Sequence, residues 1–276
     1  MALGLRLKLK EAIDKVVVKP SENLYTEALR DFFYETSRLT LFAVRFFREM
    51  TRPPFEFKEF LRQSYLVGYK SFPLVGITGF IMGLVLTIQS RPTLEEFGAE
   101  SWLPAMVAIS IIREIGPVIT ALIFAGKVGS GIGAELASMK VTEQIDAMEV
   151  SGLNPYKYVV VTRILSTSLM LPALVIVADA IALYGSYVGV NLKGDVSFQL
   201  FFLKVFQKLS FTDITPAIIK TVFFGFAVGL IGCYKGYVSN NGTEGVGTAA
   251  NTSVVIGSLA IFIIDMIAVQ ITSLFT

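Results

Sequence analysis

The stretch 71–90, SFPLVGITGFIMGLVLTIQS, is twenty residues without a charge. At 1.5 Å rise per residue a helix of that length covers the roughly 30 Å hydrocarbon core of a bilayer. It therefore predicts a membrane-spanning helix and sets the frame for the rest of the chain. Outward from it, four further stretches meet the same test. They are 103–126, broken only by Arg113 and Glu114; 164–191, broken only by Asp179; 214–234; and 254–275, which contains Asp265. Composition agrees. The 276 residues are 53% hydrophobic and 17% charged, with a mean hydropathy of +0.64, an apolar excess that a conventional soluble surface does not carry. The first 64 residues hold 12 Lys/Arg and 9 Asp/Glu, so the apolar bulk follows residue 64. The expected organisation is a cytoplasmic amino-terminal region, 1–64, and one membrane domain, 65–276.

Basic residues orient the five spans. The amino-terminal region, the connection 127–163 and Lys235 contribute seventeen; the opposite side has only Arg91, Lys193, Lys204 and Lys208. The positive-inside rule then places the amino terminus in the cytoplasm and the carboxyl terminus across the membrane. The opening MALGLRLKLKEAIDK interrupts every apolar run with a charge, so no secretory core is expected there. Two further segments read as helices lying along the membrane. In 37–52, Leu39, Phe42, Phe46 and Met50 recur at helical spacing while Arg38, Arg45 and Arg52 repeat every seven residues on another face. On the far side, Phe198, Phe201, Phe202, Val205, Phe206 and Leu209 form a second apolar stripe; a buried soluble helix is the alternative for either.

Several function classes fall away. A formal net charge of +2 leaves no cation excess for a nucleic-acid backbone. With no His and a single Cys, Cys233, imidazole zinc sites, catalytic triads and an intrachain disulfide are excluded, and no metal site is expected. No G-x-x-x-x-G-K-[ST] occurs, so ATP hydrolysis by this chain alone is not expected. Gly129, Gly131 and Ala134 do match the dinucleotide pattern G-x-G-x-x-A, but a membrane-length segment precedes them where a short strand is required.

The stretch 126–155, GKVGSGIGAELASMKVTEQIDAMEVSGLNP, carries the densest signal. Gly126, Gly129 and Gly133 recur at three and four residues, which suits close helix packing or a flexible turn. A short helix is expected to start with Thr142 as N-cap and Glu143 in its first turn, and to stop at Gly152 and Asn154-Pro155. Val141, Ile145 and Met148 share one stripe; Glu143, Asp146 and Glu149 present acids beside it. Such a helix fits a groove of a soluble partner, and equally an ordinary solvated connection.

The run REIGPVITALIFAGKVGSGIGAELASMKVTEQIDAMEVSGLNP, 113–155, resembles the MlaE-type permeases, membrane subunits of ABC transporters that move phospholipids. The ordered elements R-E-I-G-P, A-G-K-V-G-S-G-x-G-A-E-L and E-Q-I-D-A-M span more than forty residues. The resemblance implies an all-helical membrane fold with an interfacial helix and five spans, assembled as a homodimer in the bacterial inner membrane. It also implies cytoplasmic ATPase subunits, which would bind the ATP, no cofactor on this chain, and a periplasmic partner with an MCE domain. By it, Glu143, Gln144, Ile145, Asp146, Ala147 and Met148 belong to a coupling helix, about 138–152, inserted into the ATPase. Family members often read G-V-G-R-A-T-T-R before the last span; here GVGTAANT is expected to put Thr248 and Asn251 in place of the arginines.

Charges inside spans are costly and need partners. Arg113 and Glu114 point about 100° apart on an α-helix, so each should meet another helix. Asp179 and Asp265 are candidates for Arg113, and Lys70 or Lys220 for Glu114; a structural ion pair and a transport role both remain open. Ile81, Leu84, Val85 and Ile88, spaced by three, one and three, could line an apolar lipid pocket between two copies of the first and fifth spans, or simply pack. Two other functions compete with the permease reading. A secondary transporter would show duplicated halves and discontinuous helices with ion-coordinating carboxylates near the midplane; Asp179 and Asp265 allow it, but no duplicated half is visible. A membrane enzyme would need clustered catalytic groups.

Overall fold

The computed structural model describes residues 23–192, 194–239 and 242–275, all of its regular structure helical. Contacts divide the chain into two units, Met1–Arg45 and Phe46–Thr276. The first unit's described part is most of helix α1, Asn23–Met50. Its predicted polar positions hold: Arg38 and Arg45 are exposed, whereas Leu39 and Phe42 are half-buried. The helix begins well before residue 37.

The second unit contains five helices long and apolar enough to cross a membrane: α2 (Phe57–Glu96), α3 (Glu100–Val141), α5 (Tyr156–Asn191), α7 (Phe211–Tyr237) and α8 (Gly242–Phe275). Between them lie α4 (Gln144–Val150) and α6 (Phe198–Lys208). Every expected span is present and every one is longer than expected, because an apolar window marks only the hydrocarbon-facing part of a helix whose ends continue into polar surroundings.

Two extensions overturn local readings. The glycine-rich segment 126–133 is not a turn, since α3 runs through it to Val141. The last span begins earlier than expected, because α8 already starts at Gly242. In a bilayer each backbone group left unpaired costs several kcal/mol, about, so hydrogen bonding within the helix outweighs the roughly 1 kcal/mol that a glycine costs.

The longest interface is α2 on α5. Along α2, Glu59, Gln63, Val67, Ser71, Val75, Gly79, Gly83, Thr87 and Arg91 are all buried, one every four residues. This single ridge of small and polar side chains meets a matching ridge on α5. A Cβ on Gly79 would lie 2.8 Å from the Ala178 carbonyl oxygen; at Gly83 it would strike the Ala182 carbonyl, and at Gly185 the Phe80 carbonyl. Hydroxyls bridge the same seam, with Thr87 donating to or accepting from Ser186 at 2.7 Å and Ser64 pairing with Ser166 at 3.1 Å. Without a hydrophobic drive between helices in lipid, such close approach and internal hydrogen bonding hold them together.

α7 is the most buried span and α8 the least. α7 crosses α5 where Gly225 and Gly229 face Thr167, and reaches α3 where Gly236 lies against Leu136 and the Gly133 carbonyl. Gly133 in turn faces Ser253 and the Ala249 carbonyl of α8, and Gly129 faces Val228. Two of the three glycines singled out in the sequence are thus close-packing positions, while Gly126 faces open space.

α6 starts at Ser197, whose hydroxyl accepts from Leu200 N–H, and buries Phe201 and Val205 in a cluster with Leu103, Val107, Ile111, Leu183 and Val190. Phe198 and Phe206 of its expected stripe are exposed. α7 opens with a capping box between Ser210 and Asp213.

A single oversized side chain in the α2–α5 seam should separate the two helices. Gly83→Val is expected to cost about 3 kcal/mol or more and to abolish monodisperse protein in mild detergent, whereas Gly126→Val should elute and melt as the parent does. Size exclusion and thermal unfolding of the pair check this.

Candidate functional site

The reversal between α3 and α5 places α4. Thr142 does not cap α4: its hydroxyl donates back to the Ser138 carbonyl at 2.8 Å and it closes α3. Glu143 takes the N-cap position instead, with φ +58, a left-handed conformation that a non-glycine residue adopts only under constraint. The Glu143 carbonyl accepts from Ala147 N–H at 2.9 Å. Chain reversal after α3 requires that bend, and propensity at Thr142 cannot compete with it.

The rest of α4 follows its amphipathic pattern. Ile145 is 1% exposed, Val141 and Met148 are half-buried, and Glu143, Gln144, Asp146, Ala147 and Glu149 are exposed. Lys140 holds Asp146 at 2.8 Å, joining the last turn of α3 to α4 across the bend. Gly152, at φ +78, ends the helix, and Asn154 fastens its exit by donating to Glu49 at 3.0 Å while Lys157 donates to the Arg52 carbonyl. Val150, 90% exposed, and Leu153 stand beside the acids. A buried underside, pinned ends and an exposed face of acids and aliphatics make α4 a rigid protrusion.

At the opposite end of the bundle the intramembrane charges converge. α3 widens into a π-helical turn at Ile111–Ile115 and again at Ala125–Gly129. The first carries Arg113 and Glu114 and precedes Pro117, which has no N–H to continue an α pattern. Both side chains reach α7. Glu114 meets Lys220 at 2.7 Å, one of its two expected partners. Arg113 meets neither Asp179 nor Asp265 but Asp213, at 3.8 Å. Asp265 instead approaches Lys220 at 2.8 Å, so one 5%-exposed lysine serves two carboxylates. Asp213 belongs to the capping box of α7 and lies just outside the expected span, which is why it escaped the candidate list. Asp179 lies against Gly116, and its Oδ1 is buried without a hydrogen-bond partner. Arg113, Glu114, Asp213 and Lys220 border a hollow of about 70 Å³ that Thr212, Thr272 and Ser273 complete.

The four aliphatic residues proposed to contact lipid divide. Ile81 and Val85, with Met82 and Leu86, line an apolar hollow of about 420 Å³ closed on its other side by Ile115, Ile119 and Ile123 of α3. Leu84 is half-buried with its carbonyl toward Gly189 of α5; Ile88 is exposed but outside this hollow. Registered on the shared Gly-Val-Gly, the arginine positions before the last span fall on Thr248 and Thr252, not Asn251. Thr248 donates to the Glu244 carbonyl and Thr252 to the Thr248 carbonyl, both within the first turns of α8.

Comparison with known proteins decides the family. The model of the permease MlaE matches residues 60–271. The chain belongs to the MlaE permease family. A probable ABC transporter permease protein of Rickettsia typhi is 34% identical over 249 residues, covering 90% of this chain and 96% of that protein. A probable ABC transporter permease protein of Rickettsia prowazekii is 37% identical over 232 residues, 84% and 90% of the two chains. The intermembrane phospholipid transport system permease protein MlaE of Haemophilus influenzae is 36% identical over 213 residues, 76% and 81%. The match to this MlaE-family chain takes in all five spans, α4 and the charge network.

Removing the shared cation tests the network. Lys220→Met leaves two carboxylates facing each other in the membrane and should destabilise the protein by about 3 kcal/mol, lowering its melting temperature in detergent. Adding Glu114→Gln and Asp265→Asn to that variant should recover most of the loss.

Proposed function

We propose that this chain is the membrane-spanning permease subunit of an ABC transporter that moves phospholipid between membranes. The observation that carries this reading is the likeness to the phospholipid-transport permease of Haemophilus influenzae across three quarters of the chain. In this reading the chain is multi-pass in a bacterial inner membrane with the α4 end in the cytoplasm, where most of its basic residues lie. It does no chemistry of its own, because the sequence has no phosphate-cradling loop; a separate cytoplasmic subunit binds and hydrolyses ATP.

α4 is the contact with that subunit. Glu143, Gln144, Asp146, Ala147 and Glu149 form the exposed face, Ile145 anchors it, and Met148 with Val150 offers apolar area at its edge. Rigidity matters here: a partner's movement is transmitted only if the helix it grips moves as one body with α3, and the Lys140–Asp146 pair and buried Ile145 make it do so.

A second copy covers α8. Val255, Leu259, Phe262, Met266 and Val269 are exposed and spaced four, three, four and three residues apart, the spacing of a helix–helix seam. Two copies meeting there would enclose apolar walls that include the Ile81 and Val85 hollow, a path for acyl chains. An MCE-domain protein on the far side would receive or deliver the lipid.

The test has two parts. Extraction in mild detergent should bring down an ATPase with a Walker motif in equal amount; recovery of a transport-competent chain without one would overturn the reading. Asp146→Lys, which sets like charges together at the α3–α4 bend, should leave the copies associated while reducing lipid-stimulated ATP hydrolysis of the complex at least about tenfold, a loss of the order of one charged hydrogen bond. Unchanged hydrolysis would remove α4 from the coupling role.

A further inference from the structure

The charge network is not neutral. Among the described residues Arg113 is matched by Asp213, but Lys220 faces both Glu114 and Asp265, so two cations stand against three carboxylates. Asp179, the remaining acid of the expected spans, lies against Gly116 and makes no contact with this network, whereas Asp265, also outside the lining of the hollow, is joined to it through Lys220. A surplus negative charge at a bilayer-embedded site is costly unless a further cation meets it. The hollow between these groups has about 70 Å³ available, several times what one water-sized group needs. Its wall presents the half-exposed Glu114 carboxylate and the hydroxyls of Thr212 and Ser273, all able to accept hydrogen bonds.

From this geometry we infer that the hollow lined by Arg113, Glu114, Asp213 and Lys220, with Asp265 held on Lys220 beside it, is a binding site for the primary ammonium of a zwitterionic phospholipid head group. The inference rests on the phospholipid reading above and names the head group it favours. An ethanolamine ammonium brings the missing positive charge and three donors. A choline head brings the charge on a bulkier group with no donor, and a glycerol head leaves its phosphate uncompensated beside a surplus of carboxylates. A chain attached to the ammonium has apolar surface at hand, because Ile219, Phe223, Ile264, Ile267 and Ile271 border a trough of about 480 Å³ that shares Pro216, Lys220, Ala268 and Thr272 with the charged hollow.

The experiment uses the full-length chain in nanodiscs made from equal parts of phosphatidylethanolamine, phosphatidylcholine and phosphatidylglycerol with identical acyl chains. Lipids that stay bound on re-extraction into detergent are counted by mass spectrometry. Retained phosphatidylethanolamine should exceed phosphatidylglycerol by about fivefold, the scale of one charge-assisted hydrogen bond, with phosphatidylcholine below phosphatidylethanolamine. Asp265→Asn removes the surplus charge and should return the ratio to that of the disc. A measurement independent of any variant is the melting temperature of the unaltered protein, which lysophosphatidylethanolamine should raise and lysophosphatidylglycerol should not. Equal retention of all three lipids, or preference for phosphatidylglycerol, overturns the proposal. A shift produced equally by free ethanolamine assigns the hollow to a bare cation and overturns its lipid part. Binding needs no ATPase, so a complex that fails to move lipid while this preference persists sinks the transport reading, and a complex that moves lipid without the preference sinks only this one.

Discussion

The α2–α5 seam is the constraint on which the rest of the membrane domain depends. A ridge repeating every four residues along α2 lets two backbones touch over most of their length, with glycines on both helices against carbonyls of the other. Lipid tails are as apolar as leucine, so burial of large side chains would not by itself favour this pair over contact with the bilayer. Close backbone packing and the Thr87–Ser186 and Ser64–Ser166 hydrogen bonds do. Once α2 and α5 are joined, α3 is held against both at its start, and α7 fills the angle between α3 and α5. The glycines at 225, 229 and 236 repeat the same device at lower density. α8 is then left with one face against α3 and α7 and another uncovered.

This order of packing also explains where charge is tolerated. Lys220 lies on the most buried span, where Glu114 of α3 and Asp265 of α8 both reach it. The π turn at 111–115 matters to that meeting: a widened turn changes the phase of the helix and brings two consecutive charged side chains onto the same neighbour, α7.

Much of the fold was legible in the sequence because membrane helices must satisfy their own backbone, so apolar length maps directly onto spans. The apolar and acidic faces of α4 were readable for the related reason that a short helix has few ways to bury Ile145 while exposing Asp146. Pairing across helices was not. Gly79 and Gly83 acquire meaning only when Ala178 and Ala182 are known to lie opposite. Arg113 was assigned to acids within the expected spans, yet its partner Asp213 is fixed by a helix cap that hydropathy does not register. The helical character of 126–133 was hidden by its glycines, which ordinarily mark a break; here Gly129 packs against Val228 of α7 and Gly133 against Ala249 and Ser253 of α8.

The two widened turns of α3 have a mechanical consequence. The helix is 42 residues long, about 60 Å, and its last segment, 130–141, is tied to α4 through Lys140 and Asp146. Beyond that first arm lie two joints, at 125–129 and 111–115, where the axial hydrogen-bond ladder is looser than elsewhere. A displacement imposed on α4 would therefore have to cross both joints before it reached Arg113 and Glu114, and each joint is a place where the helix can turn about its own axis.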